Sequence, residues 1–183
     1  MNGQPLTAET FARLYTEYQD AVFNYCLFRV GERQAAADLT ADTFARAWQH
    51  RHRYDPALAS YTTWLFAIAR HRLIDRQRQE AQRTLVTLDG QYEDKTPLPE
   101  EQLVRTERLA HLRRLLKSLA EEQQQLIALK FGAGLTNRAI ADLLGQSETA
   151  VGSAVHRAVQ KLRQEWVEVG DWEIRDWRLE TRD

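Results

Sequence analysis

The 183-residue sequence has one cysteine, one methionine, four prolines and eight glycines. A single cysteine excludes an internal disulfide, and Cys26 has no second Cys or His at metal-ligand spacing, so it reads as core filling. His50 and His52 likewise lack further ligands nearby and do not define a zinc site. No apolar run approaches the roughly 18 residues of a membrane span, so no membrane insertion is expected. The opening Met-Asn-Gly-Gln-Pro lacks the basic start and apolar core of a secretory signal. A cytoplasmic location follows as the expectation. The sequence also shows no nucleophile–base pair, metal cluster or nucleotide-binding loop, which predicts a non-enzymatic protein without a cofactor. Gly132-Ala133-Gly134 has no strand before it and no Lys-Ser/Thr after it, so it reads as a helix stop and not a phosphate loop.

Strong charge of either sign is missing too, since 25 basic and 26 acidic residues leave a net charge of −1. The balance is uneven along the chain. Residues 46–83 carry net +5 and residues 126–163 net +3, whereas 1–45, 84–125 and 164–183 carry −3, −2 and −4. Two basic blocks between acidic ones suggest two nucleic-acid surfaces separated by surfaces for another partner. Near-neutrality overall predicts weak non-specific DNA affinity for the isolated chain, because phosphate contacts dominate that affinity.

What is present is helical periodicity, with apolar residues recurring every three or four positions. The pattern predicts a first helix over Ala8–Val30, with Phe11, Leu14, Tyr15, Tyr18, Val22, Tyr25 and Cys26 along one side, ended by Gly31. A second covers about Gln34–His50, and Arg51–Pro56 reads as a loop because Pro56 disfavours helix before it. Thr62 or Thr63 can cap a third helix reaching about Gln82. Its first half is apolar nearly all round, and its second half (Arg70, His71, Arg72, Arg76, Arg78) is basic on most faces, suited either to gripping phosphates or to a solvated, salt-bridged end. Residues 84–102 hold two of the four prolines and lose the helical period, which marks a linker. Beyond it, a leucine-spaced helix leads to Ser118, which with Glu121 forms a capping-box pattern for a helix over Gln123–Phe131.

The most specific segment is residues 135–163. Ile140, Leu143 and Leu144 give one helix its buried face, Ala141 is small where helices approach, Gly145 suits a tight turn, and Val151 plugs a second helix N-capped by Ser147. These offsets define a helix-turn-helix, the unit that lays its second helix in a DNA major groove. An ordinary helical hairpin is the alternative.

Three motifs together, Ala37–Trp48, Tyr61–Asp75 and the helix-turn-helix, resemble the extracytoplasmic-function sigma factors, the minimal two-domain class of bacterial sigma factors. The resemblance spans about residues 8–165. It implies an all-α fold of two small helical domains joined by a flexible linker: residues 1–83 as sigma region 2, 84–102 as linker, and 103–165 as a four-helix region 4, followed by an acidic, Trp-rich tail at 166–183. It implies that Asp38, Leu39, Asp42, Phe44, Arg46 and Trp48 dock on the beta-prime clamp helices of core RNA polymerase, with region 4 at the beta flap. Phe44 and Trp48 could instead face the domain core. Arg51, His52, Arg53, Tyr54, Tyr61, Arg70, His71, Arg76 and Arg78 would read the melted −10 promoter element, with Trp64 a weaker candidate suited to core packing. Ser153, His156 and Arg157 would contact −35 bases, and Asn137, Arg138, Thr149 and Lys161 the phosphates. An anti-sigma factor is a further implied partner.

Departures from the family pattern carry their own implications. Ala37 and Ala41 stand where an acidic residue and a glutamine are common, and His71 replaces a usual asparagine. Gly152 and Ala154 occupy positions usually basic, which implies weaker phosphate binding and a salt slope flatter by roughly 0.9 per missing contact. Gly152 also hints at a close approach to DNA or to a neighbouring helix. The tail holds three of the five tryptophans; it folds back on a basic surface or binds a regulator, or else it ends the last helix against the second domain. A stand-alone helix-turn-helix regulator and a helical protein-binding adaptor are the competing functions.

Overall fold

The computed structural model describes residues 6–84 and 110–167. The linker beyond residue 84 and the tail from residue 168 lie outside the described residues. Helix α1 (Ala8–Val30) starts where the Thr7 hydroxyl accepts the Thr10 N–H at 3.2 Å, and it ends at Gly31 with φ 76°. Helix α2 (Arg33–Gln49) runs into a single 3-10 turn, Arg51–Arg53. In the following loop the Asp55 carboxylate accepts the Ala57 N–H at 2.9 Å. Helix α3 spans Tyr61–Thr84. Its cap is Ser60, whose hydroxyl accepts the Thr63 N–H at 3.1 Å, and not Thr62 or Thr63 as the sequence suggested. Thr62 instead donates to the Tyr18 hydroxyl at 3.0 Å.

The second unit comprises α4 (110–118), α5 (Glu121–Ile127), α6 (Asn137–Leu144) and α7 (Glu148–Val167). The expected Ser118–Glu121 capping box does not form. Ser118 donates to the Leu115 carbonyl and to Glu165, both at 2.8 Å, while the Gln123 side chain accepts the Ala120 N–H at 3.2 Å. Glu121 is drawn away by Arg29 of α1. Helix α5 continues as a widened π turn, Ala128–Gly132, in which the Ala133 N–H reaches the Ala128 carbonyl at 2.9 Å.

The helix-turn-helix follows the sequence closely. Thr136 caps α6 and Ser147 caps α7, each hydroxyl accepting an N–H three residues on, at 3.1 and 3.2 Å. Gly145 takes φ 66°, and its N–H closes α6 on the Ala141 carbonyl. Ile140 and Val151 are fully buried and Ala141 is 4 % exposed.

The two units do not stand apart on separate cores. Val22, Tyr25, Cys26, Phe66 and Leu73 of the first share one buried cluster with Leu129, Leu135, Ile140 and Val151 of the second. Helix α1 packs on the π turn and α3 on α6. Burial pushes the Cys26 thiol up to about 12, as expected for a core cysteine. At the seam, a Cβ added to Gly132 would lie 3.2 Å from the Asn24 carbonyl oxygen and 3.4 Å from Phe28 Cβ.

The glycines of the helix-turn-helix differ in what they require. A Cβ at Gly152 would meet only the Asn137 amide, at 3.4 Å, so the close approach there is to α6. Gly152→Ala is expected to raise stability by about 0.5–1 kcal/mol through helix propensity. Gly145→Ala, held at positive φ, is expected to lower it by about 1–2 kcal/mol. Urea unfolding of the two variants checks both signs.

Candidate nucleic-acid and partner interfaces

The α2 residues divide by burial. Leu39 and Phe44 are 6 % and 4 % exposed and belong to the core, which removes them from a direct docking surface. Asp38 is exposed and accepts from Gln34 at 3.1 Å. Asp42 braces α2 against α3, ion-paired to Arg72 and, at 3.4 Å, to Arg46. Trp48 is exposed, with the Phe11 ring 5.1 Å away and the Arg51 guanidinium 3.8 Å over its own ring. Arg51 also donates to the Trp48 carbonyl at 2.9 Å. Arg51, the first residue of the Arg51–Arg53 turn, is thus held against Trp48. Tyr15, 42 % exposed and packed on Phe44 at 4.7 Å, completes an aromatic patch that sequence reasoning assigned to the α1 core stripe. Periodicity shows that such residues share a side, but not where that side runs out of partners.

The loop and α3 form a second group. Tyr54, Tyr61 and Trp64 make a three-ring cluster with centroids 5.3–5.7 Å apart, and Tyr18 abuts Tyr61. Tyr61 is 8 % exposed, and burial holds its phenol well above the usual range. It is a floor beneath Tyr54 more than a contact in its own right. His52 and Arg53 are exposed. Leu58, which the sequence reading missed, is 84 % exposed in the loop before α3. A leucine within the Asp55–Ser60 loop, between Pro56 and the α3 cap, was the available signal. On α3, His71 and Arg78 are exposed seven residues apart on one face. Arg76 pairs with Glu80 at 2.7 Å and Arg72 with Asp42 and Asp75. Arg70 has a buried Nε with no hydrogen-bond partner among the described residues. Trp64 is half-buried, packed against the core.

The third group lies on the helix-turn-helix. Thr149, Ser153, His156 and Arg157 are exposed at offsets of 0, 4, 7 and 8 residues, the spacing of one helix face. Val151, Val155 and Ala158 on the other face are buried. Arg138 is exposed at the start of α6, and Asn137 sits beside Gly152. Lys161 departs from the group: it reaches the Ser118 carbonyl at 3.4 Å and Glu165 at 3.8 Å, tying α7 to the end of α4.

An arginine-rich helix in one unit and a helix-turn-helix with an outward-facing second helix in the other are features of helical nucleic-acid-binding proteins. Residues 14–83 match the family profile Sigma-70 region 2, and residues 109–162 match Sigma-70, region 4. The ECF RNA polymerase sigma factor SigX of Bacillus subtilis is 30% identical over 162 residues, covering 85% of this chain and 83% of SigX. SigL of Mycobacterium tuberculosis is 30% identical over 158 residues, covering 86% and 89%. BldN of Streptomyces coelicolor is 31% identical over 159 residues, covering 85% of this chain but 60% of its own length, so the chain spans about three-fifths of that relative. In fold, the chain is similar to CnrH in complex with the cytosolic domain of CnrY (TM-score 0.68, 22% identity, 90% and 92% coverage). It is also similar to the sigma factor RpoE of Bartonella quintana in complex with the anti-sigma factor NepR (0.67, 20%, 90% and 100%). The chain belongs to the sigma-70 family of transcription initiation factors, with the extracytoplasmic-function sigma factors as its relatives.

The bracing role of Asp42 separates it from its neighbour on α2. Asp42→Ala is expected to lower the unfolding free energy by up to about 1 kcal/mol, the range for partly exposed ion pairs. Asp38→Ala is expected to stay within about 0.5 kcal/mol of the parent. Thermal melts at low and high salt check this, since only the first difference should shrink with salt.

Proposed function

We propose that this protein directs core RNA polymerase to a subset of promoters, reading the −35 element as duplex through α7 and the opened −10 element through the 51–60 loop and α3. The observation that carries the proposal is the single outward face of Thr149, Ser153, His156 and Arg157, set on a helix whose opposite face is fully packed. Such a face fits the major groove, with Arg157 suited to bidentate guanine contact. For the −10 strand, Tyr54 over its aromatic floor offers a stacking platform, Leu58 an apolar wedge, and His52, Arg53, His71 and Arg78 cations along the backbone. On α2, Asp38 and Arg46 with the Phe11–Tyr15–Trp48 patch form the surface offered to polymerase, in place of the buried Leu39 and Phe44. We assign residues 1–83 to region 2, 84–102 to the linker and 103–165 to region 4.

Geometry explains the need for a polymerase. Elements centred 35 and 10 base pairs upstream lie about 85 Å apart at roughly 3.4 Å per pair. With α3 packed on α6, one closed body cannot touch both. The 25 residues from 85 to 109 can extend at most about 80–90 Å, which suffices once the units separate. Polymerase binding supplies the separation and the affinity that a near-neutral chain lacks. By analogy with the inhibitor-bound neighbours, an anti-sigma factor would act by opposing it.

Run-off transcription with core enzyme on a promoter panel tests the proposal. Initiation that depends on both this protein and the promoter is expected; none on any template, with active core enzyme, would refute it. Arg157→Ala is expected to reduce discrimination at one −35 base pair by about 1–3 kcal/mol, or roughly 5- to 150-fold, while leaving core-enzyme binding intact.

A further inference from the structure

The turn between α2 and α3 has no core of its own. None of Arg51, His52 and Arg53 is buried, and no side chain caps the turn at its start. Two aromatic contacts hold it, one at each end. At the start, the Arg51 guanidinium lies 3.8 Å from the centre of the Trp48 ring, and its Nη1 donates to the Trp48 carbonyl at 2.9 Å. At the end, the Tyr54 ring packs on Trp64 at 5.3 Å and on Tyr61 at 5.7 Å. The backbone between them is tight. The Arg53 N–H donates to the His50 carbonyl at 2.8 Å, and the Tyr54 N–H to the Arg51 carbonyl at 3.3 Å.

Arg51 thereby joins two surfaces assigned to different partners. Trp48 belongs to the patch offered to polymerase, and Tyr54 to the platform offered to the opened strand. The Trp48 ring is still exposed with the guanidinium on its face. A partner that covers the ring removes water from the pair, and a cation–π contact strengthens when desolvated. Arginine suits this place because its planar, forked head stacks on a ring while donating to a carbonyl, whereas the lysine ammonium is a point charge. A guanidinium engaged in both contacts is a poor phosphate ligand, since it would have to give them up.

We propose that Arg51 is a positioning residue that couples polymerase docking at Trp48 to the presentation of His52, Arg53 and Tyr54 to the −10 strand. This rests on the promoter reading given above and adds a link between the two surfaces of the first unit. Docking stiffens the turn through Arg51. By reciprocity, a strand bound at Tyr54 strengthens docking.

Amide hydrogen exchange of the 51–54 turn tests the link, measured on the full chain free and with saturating core RNA polymerase. Core enzyme is expected to slow exchange at least several-fold in the parent, but not in Arg51→Ala or Arg51→Lys. Equal slowing in all three overturns the proposal. Run-off assays on templates that differ in the −10 element supply a second readout. Both variants should lose discrimination several-fold, with the salt slope of promoter binding unchanged. A phosphate ligand would behave differently: Arg51→Lys would keep function, and Arg51→Ala would flatten the slope by roughly 0.9. That pattern also overturns the proposal. Trp48→Leu keeps an apolar side chain but removes the ring face, so Arg51→Ala should cost nothing further in that background; additive losses count against the link. Thermal melts of the variants should match the parent, because the turn buries nothing. A lowered melt that accounts for the lost discrimination would reduce Arg51 to a structural residue. A parent that neither binds core enzyme nor drives any promoter refutes the promoter reading and the link with it. A parent that initiates, with a turn whose exchange ignores Arg51, refutes the link alone.

Discussion

The approach of the π turn to α1 at Gly132 is the constraint on which the closed structure depends. A regular α-helix through residues 128–132 would keep its carbonyls in the usual register. Here the Ala133 N–H passes to the Ala128 carbonyl and the Leu135 N–H to the Leu129 carbonyl, at 2.9 and 3.0 Å. The widened turn brings the glycine against α1 backbone at distances no larger residue could adopt without movement. Leu129 enters the shared core and Phe131 is left facing outward. Arg29, with its side chain 4 % exposed, anchors the same edge on Glu121 and on the Glu121 backbone carbonyl.

Charged residues elsewhere sort by whether the fold already occupies them. Asp42 ties Arg72 of α3 to α2 and pairs with Arg46 along α2, Arg51 lies on Trp48, and Lys161 pairs with Glu165 along α7 and ties it to the Ser118 carbonyl. Each partnered group would have to exchange a satisfied contact for one to phosphate, which lowers its net gain. Cations such as Arg53, Arg138 and Arg157 are exposed and better placed for DNA. A motif registers residue type and position but not prior engagement. Charge counting along the chain therefore overstates the number of phosphate contacts either unit can make.

The sequence was most legible where local rules decide the outcome. The stop at Gly31, the cap at Ser147, the turn at Gly145 and the plug at Val151 each depend on a few neighbouring residues. It was less legible where distant residues compete. Glu121 had the right spacing to cap with Ser118, but Arg29, 92 positions away in sequence, takes its carboxylate. The α1 stripe from Phe11 to Cys26 read as one core face, yet its beginning is a half-exposed aromatic patch and its end meets the other unit. Periodicity gives the face and leaves its partners open. For the same reason the linker pattern suggested two independent cores, since nothing local in α1 or α5 encodes their mutual contact.

A shared core has a thermodynamic consequence for any partner that needs the units apart. If only a fraction of the chain is open, apparent affinity for polymerase or promoter falls in proportion to that fraction. The seam must therefore be strong enough to matter and weak enough to release. Its composition suits that balance. The ion pair at its edge joins a buried arginine to a carboxylate 60 % exposed, so solvent screens the pair and its contribution is small. Phe131 remains 42 % exposed, so part of its apolar surface gains nothing from closure. Leu129, Leu135 and Ile140, in contrast, bury against the first unit's cluster and would need cover or rearrangement on separation. The Trp48 patch proposed for polymerase docking includes none of these seam residues, so docking there and opening the seam are separable steps.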